Sequence, residues 1–225
     1  MAQATESGRE SIDIRTKVIL LVCALLAYGS GFWPNDVVLG YGMEALGYPK
    51  YEGFAGAFLP HLLLYSTLAA LVSALLWWAL SRNRLMPPPQ LGNVRASLPI
   101  GIAMGLLSLV LLLALAWATM PPGTIHWIDP QPWKIAGNIF SNFFEEFIFR
   151  GFILVALMAM FGFWPAAVVS SVMWAAMHTQ YPLELQAFIA VSGVLWAWAG
   201  RRARSLWAPY TAHMTLDLLG DCLVG

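Results

Sequence analysis

The stretch FFEEFIFRGF, Phe143 to Phe152, places Glu145, Glu146 and Arg150 inside a run of phenylalanine and isoleucine. Further along, His178 closes the apolar run SSVMWAAMH. His213 lies in YTAHMTLDLLG, with Asp217 four residues later. These residue types can hydrolyse a bond. A carboxylate beside imidazoles can bind and deprotonate a water, that water can attack a peptide carbonyl, and imidazole donors can stabilise the oxyanion. Alternatively, two histidines and one glutamate, here His178, His213 and Glu145, could hold zinc or another divalent metal with a position open for water. Spacing alone does not choose between the two, and the HExxH signature of soluble metalloproteases is absent from the sequence.

Spacing does separate the roles within the first cluster. Glu146 and Arg150 are four apart, on one helical face, and can form an ion pair. Glu145 points about 100° away round a helix of 3.6 residues per turn, which leaves it for other work. A plainer reading makes EExxxR a buried polar staple between helices, since structural ion pairs also occupy interiors. His61, in FLPHLLLYS, reads as a helix–helix hydrogen bond, and His126, in TIHWIDP, as a solvated loop residue. His178, His213 and Asp217 differ. Polar groups on late apolar helices need one another as partners, so they are expected to converge with Glu145.

The elements that must carry these residues are apolar throughout. The chain is 59% hydrophobic and only 11% charged, with mean hydropathy +0.67, whereas a soluble domain carries roughly 25% charged residues. An all-α, polytopic transmembrane bundle follows, with an internal polar cavity. Apolar windows at 18–33, 55–80, 98–119, 134–160, 164–179, 183–200 and 206–223 predict about seven spanning helices. Glu145, Glu146 and Arg150 fall near the middle of the fourth window. Each such charge facing lipid costs roughly 2.5–3.5 kcal/mol on insertion scales, so all three must face the bundle interior or water.

Net charge is zero and no basic stripe is interleaved with aromatics, so nucleic acid is excluded as a partner. Cys23 and Cys222 lie far apart in apolar segments and read as inert. Residues 1–16 read as a cytoplasmic tail and 17–225 as a single integral membrane domain. The N-terminal tail and the second and sixth separators carry the arginines, which puts the N-terminus in the cytoplasm and the C-terminus outside. On that topology the Glu145–His178 region opens toward the extracytoplasmic side.

Taken together, the motifs resemble those of the CAAX-protease and bacteriocin-processing (CPBP, or Abi) family of intramembrane endopeptidases. The family's EExxxR appears as Glu145, Glu146 and Arg150, followed by Gly151. Its FxxxH appears as Trp174 to His178, and its last motif, a histidine with asparagine or a related residue four later, as His213 and Asp217. Order and spacing match over roughly 134–217, the expected catalytic core, while the first three helices carry no motif. The resemblance implies that Glu145 and His178 activate water, that His213 and Asp217 hold the oxyanion, and that Glu146 and Arg150 are a supporting pair. Family members have been described both as metalloproteases and as metal-free glutamic proteases. Two departures stand out. An ionised aspartate at 217 cannot donate to an oxyanion as asparagine can; Asp217 must be protonated, orient His213, or help bind a metal. Tryptophan at 174 in place of phenylalanine reads as a packing change.

The expected activity is therefore hydrolysis of a peptide bond in a membrane-anchored, lipidated or exported protein by glutamate/histidine-activated water, in the bacterial inner (plasma) membrane. The lipid bilayer and that substrate are the expected partners. The main alternative is a non-catalytic immunity or scaffold membrane protein. A proton-coupled transporter ranks below it, because no repeated half is visible.

Overall fold

A computed structural model of the protein describes residues 12–33, 67–87, 91–129 and 132–223. Seven helical rods make up those residues, and the all-helical bundle expected from the sequence is borne out. Helix α1 spans Ile14–Trp33, α2 Thr67–Arg82 and α3 Val94–Thr119. The fourth rod, α4, is one continuous helix in three parts: Pro132–Glu146, a π-helical stretch Phe147–Ile153, and Leu154–Phe161. Then follow α5 at Phe163–Ala176, α6 at Leu183–Ala203 and α7 at Trp207–Gly220. Each expected window has its helix. The first part of the second window, with His61, lies outside the described residues.

Three of the described helices are long and apolar enough to cross a membrane, at Ile14–Gly31, Val94–Thr119 and Leu183–Ala203; Thr67–Arg82 and Phe163–Ala176 are shorter apolar helices. Large apolar side chains stand exposed along the outer faces, among them Val22, Leu75, Val110, Trp117 and Val172. Such a surface suits lipid rather than water, and the protein is an integral membrane protein.

From α4 onward short connections join the rods, and two ends of the bundle can be told apart. At one end the α6–α7 turn meets the start of α3: Leu206 N–H donates to the Leu91 carbonyl at 3.2 Å, and Ser205 Oγ donates to the same oxygen at 2.7 Å. This end carries Arg82, Arg84, Arg95, Arg201, Arg202 and Arg204. At the other end the α3–α4 loop runs beside the C-terminal residues, with His126 N–H on Leu223 O at 3.2 Å and Ile128 N–H on Cys222 O at 2.9 Å.

The helix that carries His213 is set by close backbone packing. Gly101 and Gly105 of α3 face α7. A Cβ added at Gly101 would stand 2.6 Å from the Ala208 carbonyl oxygen, and one added at Gly105 2.6 Å from that of Ala212. Two glycines four apart thus remove the side chains that would hold the helices apart, a common device where lipid supplies no hydrophobic drive. Trp196 Nε1 donates to Ser108 Oγ at 3.0 Å and fixes α6 against α3.

The π-helical stretch lies deepest. Ile148, Phe149, Arg150, Gly151, Phe152 and Ile153 are all buried. Its wider turn is closed by i→i+5 bonds, and such segments recur at functional sites.

Candidate active site

Helices α4 and α7 run antiparallel, and both present polar side chains at steps of three or four residues, the spacing that keeps them on one face. The pairs form a ladder from surface to core. Near the surface, Lys134 Nζ lies 3.9 Å from Asp221 Oδ1, and Asn138 Nδ2 donates to Asp221 Oδ2 at 3.3 Å. One step deeper, Asn142 Nδ2 donates to Asp217 Oδ2 at 2.8 Å. At the bottom, His213 Nδ1 donates to Glu146 Oε1 at 3.0 Å. The same Glu146 oxygen lies 3.2 Å from Arg150 Nη1.

Glu146 therefore serves two cations or donors at once, and its side chain is 0% exposed. A carboxylate at that depth needs such partners; both lie on Oε1, and Oε2 has no hydrogen-bond partner among the described residues. The guanidinium of Arg150 lies over the Trp174 ring, 4.1 Å from its centroid, and 5.6 Å from that of Trp196. Aromatic faces thus take up the part of its charge that Glu146 does not meet.

Glu145 lies on a different side of the same helix. Its Oε2 accepts the indole N–H of Trp174 at 2.8 Å. The tryptophan at 174 is therefore more than a packing change: it supplies a donor that phenylalanine lacks. Its ring also meets those of His178, His213 and Trp196, each at 5.2 Å between centroids.

His178 follows the last turn of α5, and its Nδ1 lies 3.0 Å from the Trp174 carbonyl. A carbonyl oxygen only accepts, so Nδ1 carries the hydrogen and the neutral ring keeps its lone pair on Nε2. His213 is engaged on both sides: Nδ1 on Glu146, and Nε2 at 3.5 Å from Asp217 Oδ2. Asp217 Oδ2 accepts from Asn142 Nδ2 and lies 3.5 Å from His213 Nε2, so it stands between the two side chains.

Glu145, His178, His213 and Asp217 all line one cavity of about 390 Å³, together with Asn142 and Tyr181. Leu185, Phe188 and Ile189 supply apolar wall. The four residues singled out from spacing are thus brought to one place, with Glu146 and Arg150 behind them. His126 is not part of it; it sits exposed in the α3–α4 loop, its Nδ1 at 2.8 Å from Gly123 O. Asn142 escaped the sequence reading. The signal was present as a polar stripe, Asn138, Ser141, Asn142 and Glu145, at i, i+3, i+4 and i+7 of one helix.

Among the described residues no group of three or more His, Cys, Asp or Glu side chains is arranged to hold a metal ion. The trio Glu145, His178 and His213 does not fit one, because both ring nitrogens of His213 already face carboxylates. Cys23 and Cys222 are free thiols.

Fold and site together define a helical membrane protein with a buried carboxylate–imidazole cluster opening into a polar cavity. Residues 129–219 match the family model of type II CAAX prenyl endopeptidases, Rce1-like. The resemblance drawn from the three motifs is thereby borne out over this segment, which takes in all three. No curated protein and no solved structure matches the chain.

Proposed function

We propose that the protein is an intramembrane endopeptidase of the glutamic type, acting on a membrane-anchored, lipidated or exported protein. The observation that carries this reading is that Glu145 and His178 line the same cavity, each held by Trp174: Glu145 by its indole N–H, His178 by its backbone carbonyl. One residue thus orients both groups that would touch the attacking water. Holding them fixed before substrate arrives is what lowers the barrier.

In this mechanism a water donates one proton to Glu145 while its oxygen bonds to the scissile carbonyl carbon. His178 Nε2, as acceptor, holds the water's other hydrogen. The carbonyl π pair moves onto oxygen. Collapse restores the carbonyl, breaks the C–N bond and returns the proton from Glu145 to the leaving amine. Glu146 and Arg150 hold His213 in place and take no proton. No step in this reading uses a metal. The domain reading goes with this: a cytoplasmic tail at 1–16, one integral domain over 17–225, and the catalytic core at 134–217. The cluster lies toward the end of the bundle opposite the arginines, so the substrate enters from the extracytoplasmic side of the membrane.

Terminal-peptide mass spectrometry on membrane fractions tests the activity. Cells carrying the wild type are compared with cells carrying Glu145→Gln at equal abundance. A new terminus present only with the wild type supports proteolysis and identifies the substrate. Identical termini at matched expression would move the reading to a non-catalytic immunity or scaffold protein.

A further inference from the structure

Hydrolysis at Glu145 needs a donor for the developing oxyanion; besides Asn142 the cavity wall carries Asn138, bound to Asp221, and Gln180 and Tyr181, exposed at its rim. His213 has both ring nitrogens against carboxylates. Asp217 acts as an acceptor, and the Trp174 N–H is engaged by Glu145. A side-chain amide is the group best suited to the task, and the cavity wall presents one three residues before Glu145, on the adjoining strip of the same helix. Asn142 is 2% exposed and lines the cavity beside Glu145.

The hydrogen bonds of Asn142 fix which way its amide points. Ser141 Oγ donates to Oδ1 at 3.3 Å, and Nδ2 donates to Asp217 Oδ2 at 2.8 Å. The carboxylate accepts only, so the nitrogen must face Asp217. One N–H is spent there. The other has the Met214 thioether sulfur at 3.5 Å, a weak acceptor that a developing oxyanion outcompetes.

We infer that Asn142 is a catalytic residue, the amide donor to the oxyanion, and that Asp217 is a positioning residue that holds this amide and His213. The inference rests on the proposed endopeptidase reading. As water's oxygen bonds to the carbonyl carbon and its proton passes to Glu145, the oxygen that receives the π pair takes a hydrogen bond from Asn142 Nδ2. No proton is transferred to it. An amide-and-carboxylate pair thus does across α4 and α7 what an amide at 217 would do alone.

The test runs in two stages on the full-length protein. New-terminus formation is first followed in cells for wild type, Glu145→Gln, Asn142→Ala, Asn142→Asp, and the exchange Asn142→Asp with Asp217→Asn. Purified proteins are then assayed on an internally quenched peptide spanning the bond cut in those cells. Asn142→Ala is expected to lower kcat about 100-fold, as loss of one oxyanion donor does, with KM within about threefold. Asn142→Asp, which sets two carboxylates together, falls at least as far. The exchange returns an amide to the pair and recovers about tenfold or more over Asn142→Asp. A role confined to folding would move yield and thermal stability instead of kcat alone. Wild-type kcat in Asn142→Ala beside an inactive Glu145→Gln, or a folded exchange variant no better than Asn142→Asp, would overturn the assignment of Asn142 and leave the endopeptidase reading standing. Full activity in Glu145→Gln would overturn both.

Discussion

Trp174 donates its indole N–H to Glu145 Oε2 at 2.8 Å, and its ring face lies 4.1 Å from the Arg150 guanidinium. One side chain thus touches both halves of the EExxxR motif: the carboxylate assigned to water and the cation assigned to structure. An N–H donor to an ionised carboxylate is among the stronger hydrogen bonds, and it also limits how the carboxylate can turn.

Trp174→Phe separates these two contacts. The ring and most of its packing remain, while the donor to Glu145 is lost. Turnover on the cleaved peptide is expected to fall about tenfold, in line with loss of one charge-assisted hydrogen bond of about 1.5 kcal/mol, with thermal stability in detergent little changed. Unaltered kcat would show that Glu145 is held without the indole.

The adjacent glutamates are expected to fail in different ways. Glu145 faces the cavity, so Glu145→Gln should fold, insert and lose turnover. Glu146 is fully buried against Arg150 and His213, so Glu146→Gln leaves a buried guanidinium without its counter-ion. Removing one partner of such a pair costs about 3–5 kcal/mol. Thermal unfolding of the two purified variants checks this; equal losses of stability would place both glutamates in one structural cluster.

Much of this arrangement was legible beforehand, for a physical reason. Residues four apart share a helical face, so EExxxR, WxxxH and HxxxD each announce a pair. The cost of mid-membrane charge then forces the pairs to meet. The ladder partners of α7 were not legible, because only the facing helix shows that Asn138 and Asn142 fall level with Asp221 and Asp217. Nor was the π-helical stretch, since no residue type encodes an i→i+5 turn and FIFRGFI reads as ordinary helix. Trp174 reads as packing in the sequence because hydropathy treats its ring as apolar and overlooks its N–H. Glu146 was paired with Arg150 correctly, but its second partner, His213, is 67 residues away in the chain.

Gly105 offers a test of how His213 is positioned. An added Cβ there would lie 2.6 Å from the Ala212 carbonyl oxygen and 2.5 Å from Thr215 Cβ, and main chain cannot step aside as a flexible side chain can. Gly105→Leu is expected to force α3 from α7 and to lower both folded yield and turnover. Gly123, in the α3–α4 loop, has nothing within 4 Å of an added Cβ, but its φ of +92° makes any substitution strained, so it is no neutral control. Gly29 of α1 has open space and no positive φ; Gly29→Ala should leave both readouts unchanged.

Metal dependence follows from the donor set. With both His213 nitrogens against carboxylates, only His178 Nε2 and Glu145 remain from the trio that could have held zinc. Two donors fall short of the three protein ligands of a catalytic zinc site. Dialysis of the purified protein against a chelator is expected to leave turnover within about twofold, and added zinc should restore nothing. Loss on chelation with recovery on zinc would require His213 to release a carboxylate and would overturn the proposed mechanism.

The arginines predict an orientation. Arg82, Arg84, Arg95, Arg201, Arg202 and Arg204 gather at the end where α2 finishes and α3 starts, and where the α6–α7 turn docks on Leu91. Positive charge in short loops is retained in the cytoplasm, so that end is expected inside. The end that bears His178, the α3–α4 loop and the C-terminal residues then lies outside. A reporter active only beyond the membrane, fused after Gly225, should be active, and the same reporter placed in the loop after Arg84 should be silent. The reverse pattern would turn the bundle over and open the Glu145 cavity toward cytoplasmic substrates, with its chemistry unchanged.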